Sequence, residues 1–281
     1  MNRFFFENNS VGFLDKNPHH EKAILFIHGN SFSSDVFNDQ FSDPVLSQYR
    51  LLAVDLPGHG SSAKAAGSNY SLPEYARVVV ALLEHLKLTQ VVLAGHSLGG
   101  HIALEVLGGS HLRKKLKGAF IWGTPPLGNP PDFESAYVPN PYLGLFFQKD
   151  LKTADIQNIL SCCFNDVREP LSKYAEIIQK TDPVAREKLF ESVGRLEFLN
   201  ELTVINDFQG KIALINCLND RIISSDYLEA IRSPKLWKNS AIVVHSSHFF
   251  HIEDPSKFNL LLKSYASEMF SVTSQSDSFS P

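Results

Sequence analysis

Short, nearly continuous apolar runs recur along this chain. Between them lie segments in which apolar residues return every three or four positions. The runs are Val11–Asp15, Ala23–His28, Leu51–Asp55, Val91–Ala94, Ala119–Trp122, Ile212–Cys217 and Ala241–His245. They are dense in Ile, Leu, Val, Phe and Ala, a composition that suits strands buried on both faces of a parallel sheet. The helical period falls on Ser71–Leu86, Leu98–Leu107, Asp226–Ile231 and Pro255–Phe270. Ser71 and Glu74 have the spacing of a capping box, and Asp254-Pro255 reads as an N-cap followed by proline at the first helical position. Strand–helix alternation of this kind predicts an α/β fold with right-handed crossovers.

The alternation stops between residues 124 and 208. Thr124-Pro125-Pro126-Leu127-Gly128-Asn129-Pro130-Pro131 cannot form regular helix or an inner strand. Helical segments follow at Ala154–Phe164, Pro170–Lys180 and Pro183–Leu196, and the strand pattern resumes at Ile212. The expected organisation is therefore a core of residues 1–123 and 209–270, a helical cap insertion at 124–208, and a disordered serine-rich tail at 271–281. Tyr137, Tyr142, Phe146, Phe147, Phe164 and Tyr174 fall in the insertion. Some should pack it onto the core and some should line an apolar pocket.

Composition adds mainly exclusions. The 281 residues are 43% hydrophobic and 20% charged, with a formal net charge of −4, which offers no general attraction for nucleic acid or anionic membrane. The basic stretch His111–Lys117 lies between a helix and a strand and reads as solvated surface. Three cysteines, Cys162, Cys163 and Cys217, make no disulfide framework and show no metal-ligand spacing. The N-terminal Phe4-Phe5-Phe6 is too short for a signal-peptide core. No apolar run is long enough for a membrane span. These features give the expectation of a cytoplasmic protein without a metal.

The chemistry concentrates at Gly95-His96-Ser97-Leu98-Gly99, between an apolar run and a helical segment. A serine in such a strand–turn–helix setting is pushed onto a sharp turn with its hydroxyl exposed, and flanking glycines avoid collisions with neighbouring elements. Ser97 is the candidate nucleophile. A serine hydroxyl needs a base, an acid to orient that base, and donors for a developing oxyanion. In sheets carrying this turn, the acid and base follow the serine in that chain order. Asp220 is the first carboxylate past the strand Ile212–Cys217, with Asp226 as the alternative. After the last strand three histidines compete: His245, His248 and His251. His248 is mid-loop and favoured, with His251 next. Main-chain N–H groups of Asn30 and Leu98 are the candidate oxyanion donors. Asp55, His59, His96 and His101 are expected to serve the structure rather than the chemistry.

Together, His28-Gly29-Asn30, Asp55-Leu56-Pro57-Gly58-His59-Gly60, Gly95–Gly100, Asn219-Asp220-Arg221-Ile222 and the run His248–Pro255 resemble the α/β-hydrolase superfamily. The resemblance spans nearly the whole chain. It implies an eight-stranded, mostly parallel sheet, a helical cap and no cofactor. A narrower likeness rests on His28–Ser34, Trp122-Gly123-Thr124-Pro125-Pro126 and the segments Glu169-Pro170-Leu171 through Arg186–Glu191. These look like bacterial N-acyl-homoserine lactonases of this fold, which implies a lactone ring with an acyl tail held by the cap. The chain departs from the family where Cys217 and Ser247 occupy positions often held by glycine. The leading expectation is a serine hydrolase acting on a small ester or lactone. A carbon–carbon bond hydrolase, a thioesterase, an acyltransferase or a low-turnover ligand receptor could carry the same residues.

Overall fold

In a computed structural model, residues 1–64, 67–167 and 169–271 are described. Eight strands form one sheet: β1 (Asn2–Phe6), β2 (Asn9–Lys16), β3 (Lys22–Ile27), β4 (Arg50–Val54), β5 (Gln90–His96), β6 (Leu116–Trp122), β7 (Lys211–Cys217) and β8 (Ile242–Val244). Their order across the sheet is β1-β2-β4-β3-β5-β6-β7-β8. β1 and β2 pair antiparallel, β2 meets β4 antiparallel, and the six strands from β4 to β8 run parallel. The sheet is thus the mostly parallel, eight-stranded α/β arrangement that the resemblance implies.

Each of the seven apolar runs overlaps a strand. β1 is the strand that periodicity misses. Of its three phenylalanines only Phe4 is buried, while Phe5 is 75% exposed. A two-residue turn at Glu7 and Asn8, both at positive φ, joins β1 to β2 as an edge hairpin. β8 is shorter than its run, with Val243 47% exposed at the opposite edge.

Helices cover both faces. Leu98–Gly109 follows β5 and is buried from Leu98 through Leu107. Leu72–His85 starts at Ser71, whose side chain caps the Glu74 N–H. Only half of the capping box forms, because Glu74 turns its carboxylate to Ser68 Oγ and the Asn69 N–H instead. Pro255–Ser271 begins as expected, with Asp254 accepting from the Lys257 N–H. Its Phe258 and Tyr265 pack edge-on and tilted against Phe120 of β6. The tail expected to be disordered lies outside the described residues, apart from Ser271.

Between β6 and β7 the described chain is helical and irregular, with helices Thr153–Cys163, Leu171–Lys180, Pro183–Gly194 and Glu201–Asp207. Among the polar contacts that tie this stretch to the rest, Tyr70 Oη donates to Asp182 at 2.9 Å, and the Asp182 N–H donates to the Gly58 carbonyl at 2.7 Å. Arg186 is buried among it, donating to the Gln148 and Lys149 carbonyls at 2.9 Å each. Among the described residues, no helix is long and apolar enough to cross a membrane.

Candidate active site

β5 delivers Ser97 onto its turn at φ +52°, ψ −116°, a conformation that is costly for a residue with a Cβ. The surroundings hold it there. The Ser97 N–H donates to the Trp122 carbonyl at 2.9 Å, and Thr124 Oγ1 donates to the Ser97 carbonyl at 2.8 Å. The flanking glycines are sterically required. A Cβ on Gly99 would overlap the Ile27 carbonyl, and one on Gly95 would overlap the Gly99 carbonyl.

The loop after β8 presents His248, whose Nδ1 lies 2.8 Å from Asp220 Oδ2, and both side chains are 3% exposed. A carboxylate only accepts, so Nδ1 carries the proton and the free Nε2 is left basic. Asp220 Oδ1 is occupied separately, accepting from the Ile222 and Ile223 N–H groups at 2.8 and 3.0 Å. These three bonds fix the carboxylate against rotation. Gly123 sits under the ring at φ +59°, and a Cβ there would come within 2.9 Å of His248 Cε1. Asp226, the alternative acid, stands in the first turn of the short helix Ser225–Ala230.

His251 and His96 brace this loop, while His245, the other candidate base, is exposed. His251 is fully buried and its Nδ1 accepts from Trp122 Nε1 at 3.0 Å. His96 Nε2 donates to the His248 carbonyl at 3.0 Å while its ring stacks on Trp122. Burial pushes the pKa of both rings well below the usual histidine value, with the neighbouring His248 adding to the effect. Both stay neutral. His59, buried beside His28, is lowered to about 3, and it accepts from the Ser31 N–H at 3.3 Å while Nδ1 bonds the Pro57 carbonyl. Asp55 is buried and accepts from the Ser34 and Ser61 N–H groups and from Ser61 Oγ. Of the two departures from glycine, Ser247 has a local use, its Oγ donating to the Cys163 carbonyl at 3.1 Å, whereas Cys217 meets the Asp220 N–H at 3.0 Å through a main-chain carbonyl that glycine would also supply.

Ser97, His248, Asn30 and Leu98 all line one chamber of about 420 Å³. Leu98 is the first residue of its helix, so its N–H has no intrahelical acceptor. The Asn30 N–H likewise has no acceptor among the described residues. The Asn30 side chain is engaged elsewhere, donating to the Phe146 carbonyl at 2.6 Å. Apart from His101 and Tyr137, the rest of the lining is apolar and comes largely from residues 125–198. Of the six aromatics singled out, Tyr137, Phe146 and Phe147 line the chamber. Phe164 and Tyr174 instead pack on one another, and Phe164 packs on Phe249. His101, expected to be structural, also lines the chamber, and its partner Glu201 is one that sequence reasoning missed. No local signal pairs residues so far apart.

Comparison with known proteins agrees with this architecture. The N-acyl homoserine lactonase AidH, solved in complex with N-butanoyl homoserine, is 25% identical with a TM-score of 0.88, over 97% of this chain and 99% of that one. A thermophilic esterase from Thermogutta terrifontis shares the fold at a TM-score of 0.74 and 15% identity, over 93% of this chain and 94% of that one. Among curated relatives, an acetyltransferase component of the acetoin cleaving system of Pseudomonas putida is 44% identical over 86 residues, which is 30% of this chain but only 22% of that protein. An uncharacterised hydrolase of Bacillus subtilis is 38% identical over 85 residues, 30% of each chain. A model of the alpha/beta hydrolase family matches residues 24–259, from the strand before the Asn30 loop to the helix after the His248 loop. That span takes in the parallel sheet, save the first two residues of β3, and both loops that face Ser97, and the chain belongs to the alpha/beta hydrolase family.

Proposed function

We propose that this protein is a serine hydrolase that cleaves small carboxylic esters or lactones bearing an apolar acyl chain. The observation that carries the proposal is the 2.8 Å contact of His248 with a rigidly held Asp220 in the same chamber as Ser97 on its strained turn. In this reading Nε2 of His248 takes the Ser97 proton as Oγ attacks the substrate carbonyl. The Asn30 and Leu98 N–H groups receive the oxyanion. Collapse of the tetrahedral species breaks the ester C–O bond, and His248 returns the proton to the leaving oxygen. Water, deprotonated by His248, then attacks the acyl-enzyme and releases the acid and Ser97. Asp220 holds the imidazole in the required tautomer and stabilises its cation.

The stretch 124–208 acts in this reading as a cap that supplies the acyl pocket. The apolar lining and the likeness to a lactonase support N-acyl-homoserine lactones as members of the substrate class. The test is a panel of p-nitrophenyl esters and acyl-homoserine lactones of several chain lengths, run with wild type and Ser97→Ala. Turnover by wild type, its loss in the variant, and labelling of Ser97 by a fluorophosphonate are expected. Full activity of Ser97→Ala would end the proposal.

A further inference from the structure

The chamber contains a second histidine–carboxylate pair. His101 lies four residues after Ser97 on the same helix, one turn further along it, and its ring lines the chamber. His101 Nδ1 is 2.7 Å from Glu201 Oε1, and the Glu201 side chain is 0% exposed. Glu201 Oε2 accepts from the Leu127 N–H at 2.7 Å, so both carboxylate oxygens are committed. His101 Nε2 has no partner among the described residues, and it is absent from the fully enclosed polar atoms that lack one. Tyr137 is the other titratable side chain on the chamber wall outside the proposed triad. Glu105, one turn beyond His101, is turned to the Leu199 N–H.

In a chamber this apolar, an open ring nitrogen is one of the few groups able to hydrogen-bond a substrate. Because Glu201 can only accept, Nδ1 carries the proton, and in the neutral form of the ring Nε2 is an acceptor. One turn of helix sets the backbone of His101 about 6 Å along the axis from that of Ser97. A substrate atom within about four bonds of the scissile carbon spans that gap. The acyl part of a substrate stays on Ser97 through both steps of the proposed reaction, so a contact made to it from His101 would act in both. Resting on the serine-hydrolase reading, we infer that His101, oriented by Glu201, is a specificity residue that accepts a hydrogen bond from an amide N–H on the acyl side of the substrate.

The experiment compares ethyl esters of N-butanoylglycine and of its N-methyl analogue, with ethyl heptanoate as the chain-matched control. The readout is the ratio of kcat/KM for the N–H ester over the N-methyl ester. Loss of one neutral hydrogen bond should lower this ratio about three- to tenfold in His101→Leu relative to wild type. Glu201→Gln is the sharper variant. Its amide oxygen must stay on the Leu127 N–H, which turns the amide NH2 towards Nδ1 and moves the ring proton to Nε2. The ratio should fall at least as far, since the acceptor has become a donor, an effect that a structural role would not produce.

If both variants fail to fold, Ser97→Ala protein labelled with 15N at histidine gives a direct measurement. The His101 Nε2 shift should move on addition of the N–H ester and not the N-methyl ester. Equal ratios in wild type and variants, or an unmoved Nε2 signal, would overturn the inference while turnover of ethyl heptanoate left the triad standing. Absence of turnover of every ester would instead strike the triad, and the 15N measurement would still judge His101.

Discussion

Replacing Asp220 by asparagine tests the proposed triad with almost no change in volume. Asp220 Oδ1 receives two backbone N–H groups, from Ile222 and Ile223, and Oδ2 receives His248 Nδ1. In Asp220→Asn only an oxygen can replace Oδ1, so the amide NH2 must face the imidazole. His248 Nδ1 then becomes an acceptor, and its proton moves to Nε2, the atom that must take the proton of Ser97. The base is present but in the wrong tautomer. The variant also loses the negative charge opposite the imidazolium formed in the transition state. For charges centred about 4 Å apart at an effective dielectric of about 20, that attraction is about 4 kcal/mol, or about a thousandfold in rate. The tautomer penalty adds to it, so kcat on a p-nitrophenyl ester should fall about 10³- to 10⁴-fold. KM should change little, because the apolar chamber is untouched. Thermal unfolding should show the variant folded, since the oxygen that closes the Asp220 turn is kept. A folded Asp220→Asn protein retaining a tenth or more of wild-type kcat would refute the assignment of Asp220 and redirect attention to Asp226.

Gly99→Ala should be among the most damaging single-methyl changes, because its Cβ would meet the Ile27 carbonyl, a backbone atom that cannot step aside. Overpacking of this kind costs about 1–3 kcal/mol or more, and a lowered Tm or loss of soluble protein is the readout; an unchanged Tm would contradict the close approach of β3 and the Ser97 helix. Asn30→Ala should leave the main-chain donor in place but release the loop from the Phe146 carbonyl. A three- to tenfold fall in kcat/KM, about one hydrogen bond, is expected, and wild-type kinetics would show that the side chain does not position the loop. Stability should fall with acid between neutrality and pH 4. Burial lowers the pKa of His28, His59, His96 and His251 below the unfolded value of 6.5, to about 3 for His59. Below pH 6.5 the unfolded chain binds more protons than the folded one. The stabilisation is therefore present above that pH and drains away as pH falls towards the folded values. Burial raises Glu105 to about 6, which favours the folded state below its unfolded pKa of 4.5 and fades through pH 6, one proton against four. Urea midpoints that rise between pH 6.5 and 4.5 would refute the neutral assignment of these rings.

What the sequence makes legible follows from where the constraints are local. The inner strands announce themselves because both faces are buried and every position must be apolar. β1 does not, because only Phe4 is buried, with Phe6 packed part-buried against the core. The Ser97 turn is legible because two carbonyls exclude any Cβ at Gly95 and Gly99, and a tight turn leaves its glycines in order along the chain. Asp220 and His248 are legible for a related reason: each stands in the loop just past a strand, and parallel strands place those loops at one end of the sheet. His101 and Glu201 are 100 residues apart and their contact follows no period. The same holds for Asn30 and Phe146, 116 residues apart. Both contacts join the sheet's side of the chamber to the stretch between β6 and β7. In the proposed reading the reactive groups stand at strand ends, where sequence can find them, whereas selectivity would depend on pairings across the chamber that only the folded chain reveals. An exchange of residues 124–208 with those of another family member would keep Ser97, Asp220 and His248 in place yet break both pairings, so it should alter which ester is preferred more than whether any ester is cleaved.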